Sequence, residues 1–176
     1  MFVSLCGIAA GPRVGIAAAC GINMGITLHI QLAAAGVSAL LRAHPAAYEA
    51  IRYLGAAYLL WLAIQSWRAA AVISSNSAVL TAGAAVWRGF ITNLLNPKTT
   101  LFIFAFIPQF TDPAHGAVWL QILFLGAIFL FNGFLILLFV GATAGALAQR
   151  LNRRVQVLNK LTALVFAALA VRLVLY

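Results

Sequence analysis

Residues 117–148, AVWLQILFLGAIFLFNGFLILLFVGATAGALA, run without a single charged side chain. An α-helix rises about 1.5 Å per residue, so roughly 20 apolar residues cross the ~30 Å hydrocarbon core of a bilayer. This stretch is long enough to do so, and the rest of the chain resembles it in composition. Of all residues, 65% are hydrophobic and 7% charged, with a mean hydropathy of +1.06, whereas soluble domains carry about 25% charged residues. The solvent around this core is therefore lipid.

Working outward from that helix, apolar length and breakers place four more spans at about 14–41, 46–68, 89–111 and 157–176. Between them lie Gly11-Pro12-Arg13, Arg42-Ala43-His44-Pro45, the polar stretch 73–81 (ISSNSAVLT), Thr111-Asp112-Pro113 and 149–154 (QRLNRR). These are rich in turn formers and charges. The segment 1–10 is apolar but covers only half a bilayer, and it lacks the basic start of a signal peptide. The expected fold is all-α: a polytopic membrane protein of five full transmembrane helices plus a partial first helix. A single transmembrane domain occupies 1–176 and leaves no soluble domain.

The net charge of +9 does not indicate nucleic acid, because the basic residues sit at the ends of apolar runs instead of on one folded soluble face. Counted alternately across the membrane, Arg13, Arg68, Arg88, Arg150, Arg153, Arg154 and Lys160 fall on one side and Arg42, Arg52 and Arg172 on the other. The positive-inside rule puts the first set in the cytoplasm. Trp61, Trp67, Trp87, Trp119, Tyr48 and Tyr53 are placed as interfacial anchors. Cys6 and Cys20 lie in apolar, small-residue surroundings, where cysteine acts as a small hydrophobe.

Glu49 and Asp112 are the only acids, so no carboxylate pair is available for acid–base chemistry. The chain has no phosphate loop, HExxH, nucleophile elbow or metal-spaced Cys/His set. The expectation is a chain that is not an enzyme and has no metal site or cofactor, and ATP-driven transport by this chain alone is excluded.

The third span opens Asn93-Leu94-Leu95-Asn96-Pro97-Lys98-Thr99-Thr100. Pro97 has no N–H and its ring opposes the carbonyl of Asn93, so the helix kinks or breaks there. A carbonyl freed at membrane depth needs a partner, and Asn93, Asn96, Thr99 and Thr100 bring polar groups to that place. Broken helices of this kind form transporter substrate sites. The alternative is an interfacial kink with Lys98 snorkelling to the surface.

In the first full span Ala17, Gly21, Gly25, His29 and Ala33 recur every four residues, a face that lets a neighbouring backbone approach. His29 is the readily titrated side chain well inside a span, which makes it a candidate for proton coupling. A neutral histidine hydrogen-bonded between helices is the alternative. Asn132, mid-way along the fourth span, is expected to find its partner across the bundle.

These motifs together resemble the LysE/RhtB family of amino-acid exporters over nearly the whole chain. Asn96-Pro97-Lys98 followed by Pro108-Gln109-Phe110 is the most specific piece. Gly11-Pro12-Arg13-Val14-Gly15, Gly21 and Gly25 with His29, the run 54–62 (LGAAYLLWL) with Trp67-Arg68, and Leu158-Asn159-Lys160 support it. The runs 25–31 (GITLHIQ) and 64–68 (IQSWR) look most like the homoserine and homoserine-lactone branch.

The resemblance implies six helices in two inverted three-helix halves, and secondary efflux of a small amino acid or derivative of the homoserine, homoserine lactone or threonine type. It implies a multi-pass protein of the bacterial inner membrane. Substrate would bind at Asn93, Asn96, Pro97, Lys98 and Thr99, with the lipid bilayer as the other partner and a homodimer compatible with the sequence. The family begins with a Pro-Gly-Pro type break that would precede Met1, so the expectation is an N-terminally truncated chain whose natural start lies upstream. Many members also carry a membrane acid after the GxxxG, where Ile26 follows Gly25 here, leaving His29 for coupling. The rival expectation is a non-transporting truncated helical subunit or remnant that packs through Gly21 and Gly25.

Overall fold

The computed structural model describes residues 2–43, 45–68, 80–152 and 155–175. Among them every regular element is a helix: α1 (Phe2–Ala10), α2 (Pro12–Ala43), α3 (Pro45–Arg68), α4 (Ala82–Leu94), α5 (Pro97–Phe106), α6 (Val118–Asn152) and α7 (Val155–Leu175). Two single 3-10 turns, Ile107–Phe110 and Pro113–His115, follow α5. Within α2 and α6 the segments Pro12–Val37 and Val118–Thr143 are long and apolar enough to cross a membrane. Taken as one broken span, Ala82–Leu94 with Pro97–Phe110 is a third, and the chain turns by 57° at its break.

Local chemistry sets the helix ends. Gly11 has φ +83°, the left-handed conformation that ends a helix cheaply only at glycine. Its N–H still reaches the Gly7 carbonyl (3.1 Å) before Pro12 opens α2, and proline's fixed φ suits that first helical position. The third span starts earlier than its apolar run suggests, at Ala82 instead of about 89. Thr81 caps it, its Oγ1 accepting from the Ala84 N–H (3.3 Å), and the Ala-rich turn propagates readily. Arg88 therefore lies inside α4. At the other end α6 continues through Gln149 to Asn152, so most of the expected polar separator is helix. The separator residues 73–79, Arg153 and Arg154 lie outside the described residues.

The helices gather into two compact units that do not follow the halves of the chain. The first holds α1, α2 to Leu28, α4 and α6 from Ile128. Its core is Val3, Cys6, Val14, Ala18, Ala19 and Ala85, with Phe134, Leu137 and Val140 packed against it. Small residues dominate because helices in lipid gain little from hydrophobicity and must associate by close backbone packing. A methyl group added at Gly89 would stand 2.6 Å from the Ala18 carbonyl oxygen. Gly21 faces the Val86 backbone and Gly15 faces Gly141 in the same way.

The second unit holds α2 from His29, α3, α5, the 3-10 turns, α6 to Ala127 and α7. Ala56, Leu59, Leu62 and Ala170 are its buried centre, rimmed by Tyr58, Phe102, Phe166 and Leu169. Gly55 meets the Ala105 side chain, and Gly126 meets Ile30. Phe102, Phe106 and Phe110 form a ladder along α5 and its 3-10 extension, with centroids 4.7 and 4.9 Å apart. Trp61, Trp67, Trp87, Trp119 and Tyr53 are exposed.

Candidate functional site

The helix break is built by Pro97. α4 ends at Leu94, and Leu95 (φ −87°, ψ 6°) still donates to the Ile91 carbonyl at 3.0 Å. Asn96 then tightens the turn by donating to the Asn93 carbonyl at 2.9 Å. Proline cannot make the next helical bond, so α5 starts afresh with Pro97 in its first turn. The first turn of α5 lies at the positive end of its helix dipole.

Within the first unit, Asn93 is buried at 6% exposure. Its side chain fills the place a side chain on Gly25 would take: an added methyl at Gly25 would lie 2.7 Å from Asn93 Oδ1 and 2.9 Å from its Cβ. Gly25 thus admits the amide to the α2 surface. Asn96 is half-buried. Asn23, whose carbonyl accepts from the Thr27 hydroxyl (2.9 Å), keeps a buried Oδ1 with no hydrogen-bond partner among the described residues.

Within the second unit, Lys98 is half-buried, with its ammonium 4.5 Å from the centre of the Phe166 ring. That is cation–π distance and lets a cation sit against an apolar wall. Thr99 and Thr100 are half-buried. His29 is 3% exposed, and its Nε2 shares a 3.3 Å hydrogen bond with Thr100 Oγ1. Either group can donate, so the ring tautomer sets the direction of the bond.

The structure therefore brings His29 to the first turn of α5 and Asn93 to Gly25. Sequence reasoning missed the His29–Thr100 and Lys98–Phe166 pairs, since each joins residues distant along the chain. For His29 the sequence offers a hydrogen bond between helices as the alternative to proton coupling, without naming its partner. The expectation that Asn132 finds a partner across the bundle is overturned. Its Nδ2 donates to the Ile128 carbonyl of its own helix (2.8 Å), and the side chain is exposed. Among the described residues no three His, Cys, Asp or Glu side chains converge into a metal-binding group.

The connection after α5 is held by Gln121. Its Oε1 accepts from the Asp112 N–H (3.0 Å) while its Nε2 donates to the Asp112 and Gly116 carbonyls (2.8 and 3.1 Å). Asp112 Oδ1 accepts from the Ala114 N–H (2.8 Å) and Oδ2 contacts His115 Nδ1 (3.0 Å). The backbone bond from Ala114, reinforced by His115, holds the Asp112 carboxyl below its usual range.

A family model described as "LysE type translocator" matches residues 1–176. The chain belongs to the LysE family. An uncharacterized membrane protein of Vibrio cholerae is 38% identical over 122 residues, which are 68% of this chain and 59% of that protein. The homoserine/homoserine lactone efflux protein of Salmonella typhimurium is 38% identical over 105 residues, 58% of this chain and 51% of that protein. The match to these two LysE relatives thus spans little more than half of their length. A leucine efflux protein of Enterobacter is 34% identical across 98% of this chain and 85% of its own length. No solved structure matches.

Proposed function

We propose that this LysE-family chain is a secondary exporter of a small amino acid or derivative, spanning the bacterial inner membrane several times and working without a cofactor or a chemical step. The observation that carries the reading is the break at Leu95-Asn96, where α4 stops inside an apolar span and α5 opens with Pro97-Lys98. Discontinuous helices present a half-helix N-terminus to an anionic group and unwound polar backbone to a cation. A zwitterionic amino acid carries both charges. Its carboxylate suits the positive end of the α5 dipole and the Lys98 ammonium, and its ammonium suits the amides of Asn93 and Asn96.

The substrate-binding residues in this reading are Asn93, Asn96, Pro97, Lys98 and Thr99, with Gly21 and Gly25 as the packing face that seats Asn93. Homoserine, homoserine lactone or threonine is the proposed cargo class. The Salmonella relative's name supports it, and the leucine-efflux relatives make an aliphatic side chain the alternative. His29, bonded to Thr100 in the first turn of α5, is the proposed proton-coupling group, because protonation forces Nε2 to donate and changes the bond it makes there. The exporter works as a homodimer.

The test is an efflux assay in cells loaded with homoserine, threonine or leucine. Asn96→Ala should raise intracellular retention about tenfold, the loss of one charge-assisted hydrogen bond of ~1.5 kcal/mol. Undiminished efflux from a variant inserted at wild-type level refutes the site. Absence of efflux from the unaltered chain favours a non-transporting helical subunit.

A further inference from the structure

The outward face of α6 carries a feature that lipid alone does not explain. Within the first unit Ile128, Phe131, Leu135, Ile136 and Phe139 are all large and exposed, at 47–65%. Only 11% of the most apolar stretch of this helix is buried. Most of that face is what a lipid-contacting helix should be. Asn132 is the exception: it lies near the middle of the apolar segment Val118–Thr143, and it is exposed between Ile128 and Ile136.

The side chain's one hydrogen bond among the described residues is from Nδ2 to the Ile128 carbonyl. A primary amide has two donor hydrogens and two acceptor lone pairs, so an N–H and Oδ1 of this exposed side chain make no hydrogen bond among the described residues. Hydrocarbon offers them nothing, and mid-way along an apolar span the side chain cannot reach water. Beside it, a methyl added at Gly133 would meet nothing within 4 Å, so another helix can approach closely here.

We infer that α6 is the homodimer interface, with Asn132 of one protomer hydrogen-bonded to Asn132 of its partner about a two-fold axis. The amide is its own complement: its free N–H meets the partner's Oδ1, and the reverse bond forms at the same time. A two-fold interface places identical residues opposite one another, and an interhelical amide pair is the glue expected between membrane helices. The exposed Phe131, Leu135 and Phe139 then pack around the pair and keep it dry.

This deepens the homodimer in the proposed function, yet its readout is association and not efflux, so either can fail without the other. The full chain, reconstituted in phosphatidylethanolamine/phosphatidylglycerol vesicles at dilution, is followed by single-molecule photobleaching. Wild type should show two-step bleaching. Asn132→Leu should weaken dimerisation about three- to thirtyfold, the span measured for interhelical polar bonds, while Asn132→Gln keeps most of it. Oxidation of Asn132→Cys should trap a dimer, whereas Leu164→Cys on α7, 58% exposed, should not. A monomeric wild type, an Asn132→Leu dimer as tight as wild type, or equal trapping at both cysteines overturns the inference.

Discussion

Gly25→Ala tests the geometry on which the Asn93 amide depends. The new methyl would lie 2.7 Å from Asn93 Oδ1, 2.9 Å from its Cβ and 3.2 Å from its Cγ. Real carbon contacts do not come so close, and a buried asparagine with two side-chain torsions has little room to retreat. Either Asn93 swings out of its place or α2 and α4 part. Overpacking of this kind costs about 1–3 kcal/mol, equivalent to roughly a 5- to 150-fold change in the unfolding equilibrium. Glycine-to-alanine substitution also changes helix propensity, by ~0.5–1 kcal/mol. Gly36→Ala supplies the control, since Gly36 lies in the same helix and its added methyl meets only Phe104 Cε1, at 4.0 Å. The propensity contribution cancels in the comparison and leaves the clash. Unfolding of both purified variants in mixed SDS and dodecylmaltoside micelles, read by far-ultraviolet circular dichroism, should show Gly25→Ala less stable than Gly36→Ala by about 1–3 kcal/mol. Equal stabilities would refute the packing of Asn93 against α2.

Three further outcomes follow from the same structure. Thr100→Val deletes the hydroxyl bonded to His29 and should lower efflux about three- to tenfold, one neutral hydrogen bond. Thr100→Ser should restore efflux, and an unchanged rate and pH profile in Thr100→Val would remove that bond from the mechanism. Gln121→Ala removes three hydrogen bonds from the Asp112–Gly116 connection. Amide exchange of Asp112 should accelerate roughly tenfold, and unaltered protection would count against the clamp. The carboxyl of Asp112 is held down by the Ala114 N–H, so its contribution to loop order is present above the ordinary value of 3.8 and lost as pH falls through the lower folded-state value. Carboxyl-carbon NMR in micelles should give a midpoint below 3.8 for Asp112; a midpoint at or above it contradicts the Ala114 bond.

Much of the candidate site was legible in the chain because its cause is covalent. Proline lacks an N–H wherever it occurs, so the interruption at Pro97 and the polar residues around it could be read without coordinates. Helix ends were less legible. The start at Ala82 depends on a threonine cap and on alanine-rich propensity that a search for apolar length does not weigh. The run from Gln149 to Asn152 shows the reverse error, since polar residues extend α6 as readily as they would end it.

Lipid as the core's solvent, helices as its elements and a break at Pro97 were determined by the sequence alone. Composition and the chemistry of a single residue act locally and need no partner. Only the tertiary structure decided that Asn93 lies against Gly25, that His29 meets Thr100 and that Lys98 rests on Phe166. It also decided that Asn132 turns away from its own bundle. Each of these depends on which helix faces share a neighbour, and a helix carries several faces of similar polarity. Packing between distant segments chooses among them, through contacts of a few ångströms that no periodicity along one chain can encode.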